Sequence, residues 1–426
     1  MSLLIKNAVI VNADKMHQKP QDIFIEKGII AGITSNISKE GVKIIDAKGK
    51  LVMPGLIDVH VHLRQPGRED KETIETGSRA AAKGGFTTIM CMPNTHPVID
   101  NAMIVEGIIE EARRVGLVNV IPVGAITKGQ KDGELVDMNE LKKAGCLALS
   151  DDGKSVVNSR LMFLALQYAK MEGLLLIEHC QDSLITSGGV MNEGYYSTLL
   201  GLKGDPAPAE TIIVARDIEL ANYLKTKVHL AHMSLRRSVE LIRFAKSQGI
   251  QVTAEACPHH FTLTDDAVKN YDTNFKMNPP LRTKEDVEAI KAAIKDGTID
   301  CIVSDHAPHT AEDKEVEFDH APFGIIGFET SVGLTVRELV KPKILSWTQM
   351  VEKMSTAPAR IVGLKNKGVI EEGKDADITI LDPDQEWIFK KEDIVSKSKN
   401  SPFIGQTMVG RVDTTIYGGK VSYQAD

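Results

Sequence analysis

The sequence predicts an α/β fold, a (β/α)₈ barrel of the TIM type with a small discontinuous β domain formed by both chain ends. Three observations support this prediction. Buried-type apolar runs alternate with helical stretches through the middle of the chain, and short β-patterned runs fill its two ends. Polar residues gather directly after the apolar runs, at the predicted carboxyl ends of strands, where a barrel of this kind builds its active site.

The two chain ends share one texture of short β-patterned runs bounded by Gly, Asn or Asp. At the start these runs are LLIKNAVIVN, DIFIEKGIIAGI and VKIIDAKGKLVMP, and after about residue 366 they are GVIEEGKDADITILD, QEWIFK and DTTIYGGKVSYQ. We expect residues 1–53 and 366–426 to pair into the β domain. Residues 54–365 would then form the barrel.

The middle of the chain contains eight strand candidates, as an eight-stranded barrel requires. They are GLIDVHVH, TTIMCMPN, NVIPVGAI, CLALSDD, LLLIEHC, KVHLAHM, QVTAEACPHH and DCIVSDH. The intervening stretches have the apolar spacing of amphipathic helices that end in Gly, as in ETIETGSRAAAKGG, NAMIVEGIIEEARRVG, SRLMFLALQYAKMEG and KEDVEAIKAAIKDG. Strand and helix therefore alternate throughout this region.

Composition excludes several classes of protein. The formal net charge of −7 is spread along the chain without a basic block, which argues against nucleic acid or an anionic membrane as the main partner. No apolar run approaches the roughly 20 residues of a membrane span, and we expect a cytoplasmic protein. The five cysteines are odd in number and far apart, so they are interpreted as reduced core thiols rather than disulfides or zinc ligands.

Histidines and aspartates at five of the predicted strand ends suggest a metal centre. His60 and His62 lie two apart in DVHVHLR, so both imidazoles project from one face of the first strand. The ends of strands four, five, six and eight add Asp152, His179, His232 and Asp305. Any one of these residues alone is better read as a core or surface side chain. Together they form a mixed N/O ligand set that suits zinc and could hold two ions.

Several longer motifs carry a family resemblance over nearly the whole chain. DVHVHLRQPGREDKETIETGSRAAAKGGFTTIMCMPNT, EACPHHF, MNPPLR, SDHAPH, the later APFG and GKDADITILD stand in the order found in one family. With these motifs the chain resembles the class I dihydroorotases of the amidohydrolase superfamily. DVHVH and GKDADITILD indicate only the superfamily, whereas HLR, MPNT, NPPLR and DHAPH narrow the resemblance to dihydroorotases.

The resemblance implies two zinc sites that share one bridging carboxylate. One zinc would be held by His60, His62 and Asp305, and the other by His179 and His232, with Asp152 contributing to both. Many relatives bridge their metals with a carboxylated lysine, whereas strand four here ends in Asp151 and Asp152. This resembles the class I variant with an aspartate bridge, and Lys154 in the following loop is a minor alternative. A further departure is Gln65, where relatives usually have Glu.

The residues also suggest how a ring amide could be opened. A water molecule activated by zinc, with its pKa lowered toward about 7, supplies a nucleophile at neutral pH, and no Ser or Cys nucleophile elbow is apparent. Asp305 is expected to take the proton from this water and pass it to the departing ring nitrogen. A role for Asp305 as a metal ligand only is the alternative, and the two roles are compatible.

An anionic substrate would need a local positive charge, and Arg64 directly after the HxH motif can grip a carboxylate with two parallel hydrogen bonds. A salt bridge at the barrel rim is its alternative role. The resemblance implies that the substrate contacts also include His62, Asn94, Asn278, His309, Phe323 and Gly324. The stretch from Thr310 to Ile326 is expected to be a mobile loop over the site.

By resemblance, the expected reaction is the reversible interconversion of N-carbamoyl-L-aspartate and (S)-dihydroorotate in pyrimidine biosynthesis. A homodimer and a complex with aspartate carbamoyltransferase are the expected partners. Two alternatives stay open. One is a hydantoinase or allantoinase that acts on another cyclic ureide. The other is a noncatalytic dihydroorotase-like scaffold for aspartate carbamoyltransferase, which such relatives become after losing metal ligands.

Overall fold

The computed structural model describes residues 2–425. Its strands are β1 (Ser2–Ile10), β2 (Gln21–Glu26), β3 (Ile29–Thr34), β4 (Lys43–Asp46), β5 (Leu51–Pro54), β6 (Leu56–Val61), β7 (Phe86–Cys91), β8 (Asn119–Pro122), β9 (Ala148–Leu149), β10 (Leu175–Glu178), β11 (Met191–Asn192), β12 (Gly204–Asp205), β13 (Val228–Leu230), β14 (Val252–Ala256), β15 (Cys301–Ile302), β16 (Ile378–Ile388), β17 (Thr407–Tyr417) and β18 (Lys420–Gln424). Its α-helices are α1 (Ile74–Lys83), α2 (Ala102–Val115), α3 (Met138–Ala144), α4 (Ser159–Glu172), α5 (Ser183–Thr186), α6 (Tyr195–Leu200), α7 (Pro208–Leu224), α8 (Arg236–Ser247), α9 (Lys284–Asp296), α10 (Ala311–Lys314), α11 (Phe328–Thr335), α12 (Trp347–Val351) and α13 (Ala357–Val362).

Parallel strands form the predicted barrel. One run of neighbours is β6, β7 and β8, and the other is β9, β10, β13, β14 and β15. The two runs join through a bridge between Gly124 and Leu149, and the barrel closes through a bridge between Val61 and His306. Each of these strands lies within one of the eight predicted runs or extends no more than one residue beyond it, which confirms the predicted fold class. Their carboxyl ends meet at one face, and this face carries the polar residues that follow the strands.

Helices between the barrel strands begin and end where local sequence signals predict. Thr73 caps α1 in a capping box with Thr76, and the Asn101 side chain accepts the backbone N–H of Ile104 at the start of α2. Gly116 and Gly173 end α2 and α4 in the left-handed conformation, which costs glycine little because it has no Cβ. These caps satisfy backbone groups that would otherwise be left unpaired at the helix ends.

Strands from both chain ends form one sheet, in the order β18, β17, β16, β5, β1, β2 and β3, with β4 paired to β1. Its apolar face has its own core, separate from that of the barrel. The sequence suggested separate strands at ITILD and QEWIFK, whereas β16 runs through both. The pairing of β16 with β17 shifts register between Asp382 and Glu386, which lets one strand continue past Pro383. The domain boundaries 1–53, 54–365 and 366–426 stay a prediction.

Two further features bear on the sequence interpretation. All five cysteines are buried and free, and burial raises the pKa of the Cys91 thiol to about 12. Among residues 2–425, no helix is long and apolar enough to cross a bilayer.

Candidate functional site

The six predicted metal ligands converge at the carboxyl end of the barrel. Asp152 lies at their centre, with one carboxylate oxygen 3.2 Å from His60 Nε2, 3.3 Å from His179 Nδ1 and 3.6 Å from His232 Nε2. Its other oxygen is 3.5 Å from His62 Nε2. Asp305 Oδ1 lies 3.1 Å from the same His62 nitrogen. All six side chains are buried, so these distances describe one enclosed cluster.

A buried carboxylate determines which nitrogen of His60 faces this cluster. Glu255, on β14, accepts a hydrogen bond from His60 Nδ1 at 2.6 Å. With its proton on Nδ1, the neutral His60 ring directs the lone pair of Nε2 toward Asp152. Within residues 2–425, neither His60 Nε2 nor the facing Asp152 Oδ1 has a hydrogen-bond partner. Two buried acceptors facing each other require a cation or a proton between them.

The pKa shifts of His60 and Asp152 also favour a positive charge between these two side chains. Burial lowers the pKa of His60, but the charges of Asp152 and Glu255 raise it well above its ordinary value. Burial raises the pKa of Asp152, but the surrounding imidazoles of His60, His179 and His232 lower it well below the usual range. A metal cation would replace the proton that these carboxylates favour on His60, because metal ligands bind in their deprotonated forms.

His62 is oriented in the same way by another side chain. Its Nδ1 lies 2.8 Å from Asn94 Oδ1, which can only accept, so Nδ1 donates and Nε2 presents its lone pair. That lone pair meets the carboxylate of Asp305. Burial raises the pKa of Asp305, but its contact with the His62 imidazole and the charge of His60 lower it below its ordinary value. Asp305 is therefore ionised at neutral pH.

On the opposite side of Asp152, His179 Nδ1 and His232 Nε2 lie 2.9 Å apart. The cluster thus contains three-residue groups with ligand atoms close enough for one ion, namely His60, His62 and Asp305, and His60, Asp152 and His232. Imidazole and carboxylate donors in this arrangement fit a borderline cation such as zinc. The chain therefore contains candidate metal-binding His/Asp clusters at the barrel mouth.

The two aspartates that follow β9, Asp151 and Asp152, have different surroundings. Asp151 accepts the backbone N–H groups of Ile126 and Thr127 at 2.8 and 3.1 Å, facing away from the histidines. Asp152 faces the histidines. Lys154, the alternative bridging residue, is exposed to solvent. These positions favour Asp152 over Lys154 as the bridge.

Three residues of the site adopt the left-handed backbone conformation, which non-glycine residues rarely do. They are Arg64 with φ 59°, His232 with φ 35° and Asp305 with φ 47°. Each follows a barrel strand, where the chain leaves the sheet. Such backbone conformations cost about 1–3 kcal/mol each and persist where the surrounding structure enforces them.

Beside the cluster lies a cavity of about 250 Å³. Its lining includes every residue expected to contact substrate, together with five of the six expected metal ligands: His62, Arg64, Asn94, Asp152, Gly153, His179, His232, Asn278, Asp305, Ala307, His309, Pro322, Phe323 and Gly324. His60 lies deeper, below the cavity floor. A cavity of this size with convergent polar groups suits a small polar ligand.

Arg64 lies on one wall of the cavity. Its Nε donates to the Pro308 carbonyl at 3.2 Å, and among residues 2–425 no carboxylate lies within salt-bridge distance of its guanidinium. The alternative role as a rim salt bridge therefore receives no support from the geometry. Burial lowers the pKa of Arg64 to about 10, so the side chain stays charged at neutral pH and faces the cavity without an anionic partner.

The segment expected to cover the site includes the short helix α10 and is held to the barrel by two buried lysines. Lys276 donates to the Phe318 carbonyl of the segment at 2.7 Å, and Lys314 of α10 donates to the Thr273 carbonyl outside the segment at 3.1 Å. Gly324 lies beside the cavity with φ 118°, and a Cβ there would meet the Ala307 Cβ at 2.6 Å. Glycine is therefore required at this position, and movement of the segment stays a prediction.

Several residues in the site were not found from sequence. Glu255 orients His60, and His229 Nε2 in turn bonds Glu255 at 2.9 Å. Gln181 Oε1 accepts from Asn278 Nδ2 at 2.9 Å beside His179. Asn400 Oδ1 accepts the backbone N–H of His309 at 3.0 Å. The only available signal was a buried-type position for a polar residue, as with Glu255 inside the apolar run of β14.

Three further histidines, His259, His260 and His306, stand outside the metal cluster. His306 stacks on Phe328 with ring centroids 4.1 Å apart, and His260 Nε2 bonds the Pro279 carbonyl at 2.9 Å. Cys257, His259 and His260 form a further group with ligand atoms close together. This group is buried and does not line the cavity.

Replacing Glu255 tests how the His60 ring is oriented. Glu255→Gln should weaken zinc binding by about 10–100-fold, the usual effect of losing a carboxylate behind a metal-binding histidine. Zinc affinity would be measured by competition with a chromophoric chelator. Glu210→Gln serves as the control, because Glu210 is equally buried but bonds Ser234 and Ser238 instead of a histidine. Equal zinc affinity in the two variants would remove Glu255 from this role.

Comparisons with known proteins agree with this architecture. Residues 49–238 match a family described as dihydro-orotase-like, and residues 245–423 match the amidohydrolase family. Dihydroorotase from Endomicrobium trichonymphae is 52% identical over 424 residues and covers 100% of both chains. Dihydroorotase from Pelotomaculum thermopropionicum is 53% identical over 426 residues, covering 100% of this chain and 99% of that protein.

Solved structures show the same fold. The L-hydantoinase from Arthrobacter aurescens superposes with a TM-score of 0.87 at 27% identity, covering 98% of this chain and 95% of its own. The D-hydantoinase from Thermus sp. superposes with a TM-score of 0.82 at 25% identity, covering 99% and 96%. The full-length identity to dihydroorotases is about twice the identity to these hydantoinases. The chain is a hydrolase that acts on a cyclic amide. It is a member of the metal-dependent amidohydrolases, and within them it belongs to the dihydroorotase family.

Proposed function

We propose that this protein catalyses the reversible, zinc-dependent interconversion of N-carbamoyl-L-aspartate and (S)-dihydroorotate, with ring closure as its role in pyrimidine biosynthesis. One observation carries the proposal. The uncompensated guanidinium of Arg64 and the buried His/Asp cluster share one small cavity. A ligand with a carboxylate beside a reactive ring amide would place the carboxylate at Arg64 and the ring amide at the His/Asp cluster.

The proposed metal ligands are the six residues of the cluster, with Asp152 as the bridge between two zinc ions. Zinc bound there would lower the pKa of water toward about 7 and polarise the ring carbonyl. The protein contributes the orientation of the imidazoles through Glu255 and Asn94, which hold His60 and His62. Such supporting contacts fix the ligands before the metal arrives.

Asp305 is the proposed general base and acid. In ring opening, its carboxylate takes a proton from the attacking water and returns it to the ring nitrogen as the carbon–nitrogen bond breaks. In ring closure, the same carboxylate takes a proton from the carbamoyl nitrogen and returns it to the departing water. The position of Asp305 at the edge of the cavity, 3.1 Å from His62 Nε2, supports this role.

Substrate orientation is proposed to come from the opposite wall. Arg64 and His309 would hold the substrate carboxylate with Asn94, and Asn278 and the backbone around Phe323 and Gly324 would contact the ring. His62 and His309 are buried, and burial strengthens such charged contacts. Fixing the carboxylate on one side places the ring amide beside Asp305.

The test is ring opening of dihydroorotate, hydantoin and allantoin in parallel, with zinc-loaded protein whose metal content is measured on the same sample. We expect turnover of dihydroorotate and little of the two neutral ureides, which lack the carboxylate that Arg64 would bind. Turnover confined to a neutral ureide would instead assign a hydantoinase or allantoinase activity. Bound zinc without turnover, restored by aspartate carbamoyltransferase, would make that enzyme an obligatory partner. If the zinc-loaded protein stays inactive when the transferase is added, the noncatalytic scaffold role is the function that remains.

A homodimer, a complex with aspartate carbamoyltransferase and a cytoplasmic location are part of the same proposal. They follow from the family and not from any contact in the chain. Light scattering of the protein alone, and then mixed with the transferase, tests the first two.

A further inference from the structure

The ring of His309 lies between the cavity and Lys71, a buried lysine to which the sequence motifs assigned no role. Lys71 Nζ lies 2.9 Å from His309 Nδ1. On the cavity side, His309 Nε2 lies 2.8 Å from the Phe323 carbonyl and 3.3 Å from Arg64 Nη2. Both side chains are largely buried, with 6% of each residue exposed.

The chemistry of the partners assigns the proton on this ring. An ammonium group has no lone pair, so Lys71 donates and His309 Nδ1 accepts. The neutral ring then carries its proton on Nε2, which donates to the Phe323 carbonyl. Burial and the charges of Arg64 and Lys71 lower the pKa of His309, so the ring stays neutral.

With the proton on Nε2, the close approach of Arg64 to His309 is not a hydrogen bond. A protonated Nε2 cannot accept from the Arg64 guanidinium, so the two groups are donors 3.3 Å apart that face one region of the cavity. An anion that enters this region would meet two converging donors, the charged guanidinium and an Nε2–H that it shares with the Phe323 carbonyl. The other tautomer of His309 would present a lone pair there and repel a carboxylate.

Lys71 is itself held in place by a loop residue. Its Nζ lies 2.9 Å from Asp313 Oδ2 in α10, and Ser398 Oγ donates to its backbone carbonyl at 2.6 Å. Burial lowers the pKa of Lys71 although Asp313 raises it. Burying an ammonium is costly, and a lysine in this place needs a compensating contact, which Asp313 and His309 provide.

We propose that Lys71 is a positioning residue for the substrate carboxylate, because it holds His309 in the Nε2–H tautomer and thereby gives Arg64 a second donor beside it. The inference rests on the proposed function and names a residue through which its carboxylate site works. Lys71 does not line the cavity and acts only through His309.

The test begins with the tautomer itself, read from ¹⁵N–¹H correlation spectra of the full-length protein labelled at histidine nitrogens. Protonated and unprotonated ring nitrogens resonate in separate regions, and His309→Gln assigns the signals. The native protein should show His309 protonated at Nε2 only. Protonation at Nδ1, or at both nitrogens, would overturn the proposal without any variant of Lys71.

The second step uses Lys71→Met, which keeps the length of the side chain but removes the donor. We expect His309 to lose its single tautomer and the KM for dihydroorotate to rise about tenfold with kcat nearly unchanged, as for loss of one hydrogen bond to a charged group. Lys353→Met is the matched control, because Lys353 is also a buried lysine but donates to the Ile299 carbonyl and does not line the cavity. It should preserve both the tautomer and KM.

The outcomes separate the proposal from its alternatives. An unchanged tautomer in Lys71→Met, or an equal rise in KM in Lys353→Met, would show that Lys71 does not position His309. Melting temperatures of both variants report any general loss of stability. If native protein does not turn over dihydroorotate, the proposed function fails, while the histidine spectra still decide whether Lys71 sets the tautomer.

Discussion

Asp305→Asn should lose about 10²–10⁴-fold in kcat for dihydroorotate while retaining part of its zinc, since general acid–base catalysis contributes about this much. The amide of asparagine can still place an oxygen near a metal but cannot take up a proton at neutral pH. In the native protein the Asp305 carboxylate lies 3.1 Å from His62 Nε2 and 3.8 Å from His60 Nε2, at the edge of the cavity. The measurement is steady-state kinetics in both directions together with metal content.

A matched control lies at the other end of the same strand. Asp300 precedes β15 and bonds Lys246 and the backbone of Ala254. Asp300→Asn should therefore leave kcat nearly unchanged, and any small loss of stability would appear in its melting temperature. Near-normal rates in Asp305→Asn would remove Asp305 from the proton-transfer role and leave it as a metal ligand only.

Arg64→Ala should raise the KM for dihydroorotate by about 30-fold or more with a smaller change in kcat, because losing one partner of a buried charge pair costs about 2–5 kcal/mol. The guanidinium faces the cavity, and its Nε donates to the Pro308 carbonyl. KM and kcat would be measured for dihydroorotate and for a ring analogue without the carboxylate.

Arg68→Ala is the control for a general change in charge, because Arg68 is exposed and pairs with Asp70 at 3.0 Å. Its KM should stay near the native value. The carboxylate-free analogue should lose little further on Arg64→Ala, because it does not use the guanidinium. A KM for dihydroorotate that stays at the native value in Arg64→Ala would leave Arg64 as a rim residue that supports Pro308.

Much of the fold could be predicted because each local signal agreed with the global arrangement. Barrel strands were predicted from buried apolar runs, and their helices from apolar spacing that ends in Gly. The continuity of β16 could not be predicted, since Pro383 and a polar stretch interrupt its pattern, and the shifted pairing with β17 carries the strand across.

The candidate ligands could be predicted because they follow strands, and the carboxyl ends of barrel strands necessarily meet. The cavity residues Asn94, Asn278, His309, Phe323 and Gly324 were expected from the family resemblance. The comparisons confirm the family to which these motifs pointed. Which neighbour holds each ligand could not be predicted in this way. Glu255 and His60 are 195 residues apart, and Asn400 and His309 are 91 residues apart. No periodicity relates positions so distant in the chain.

The sequence by itself determined the barrel, the joining of the chain ends into a β domain, the family, and the set of His, Asp and Arg side chains at the barrel mouth. These follow from local periodicity and from motifs, which depend on neighbouring residues. Only the tertiary structure decided that Asp152 and not Asp151 faces the histidines, that Glu255 orients His60, and that Lys71 reaches His309. Each of these depends on the direction of a side chain within a closed barrel, which is set by packing between elements remote in sequence.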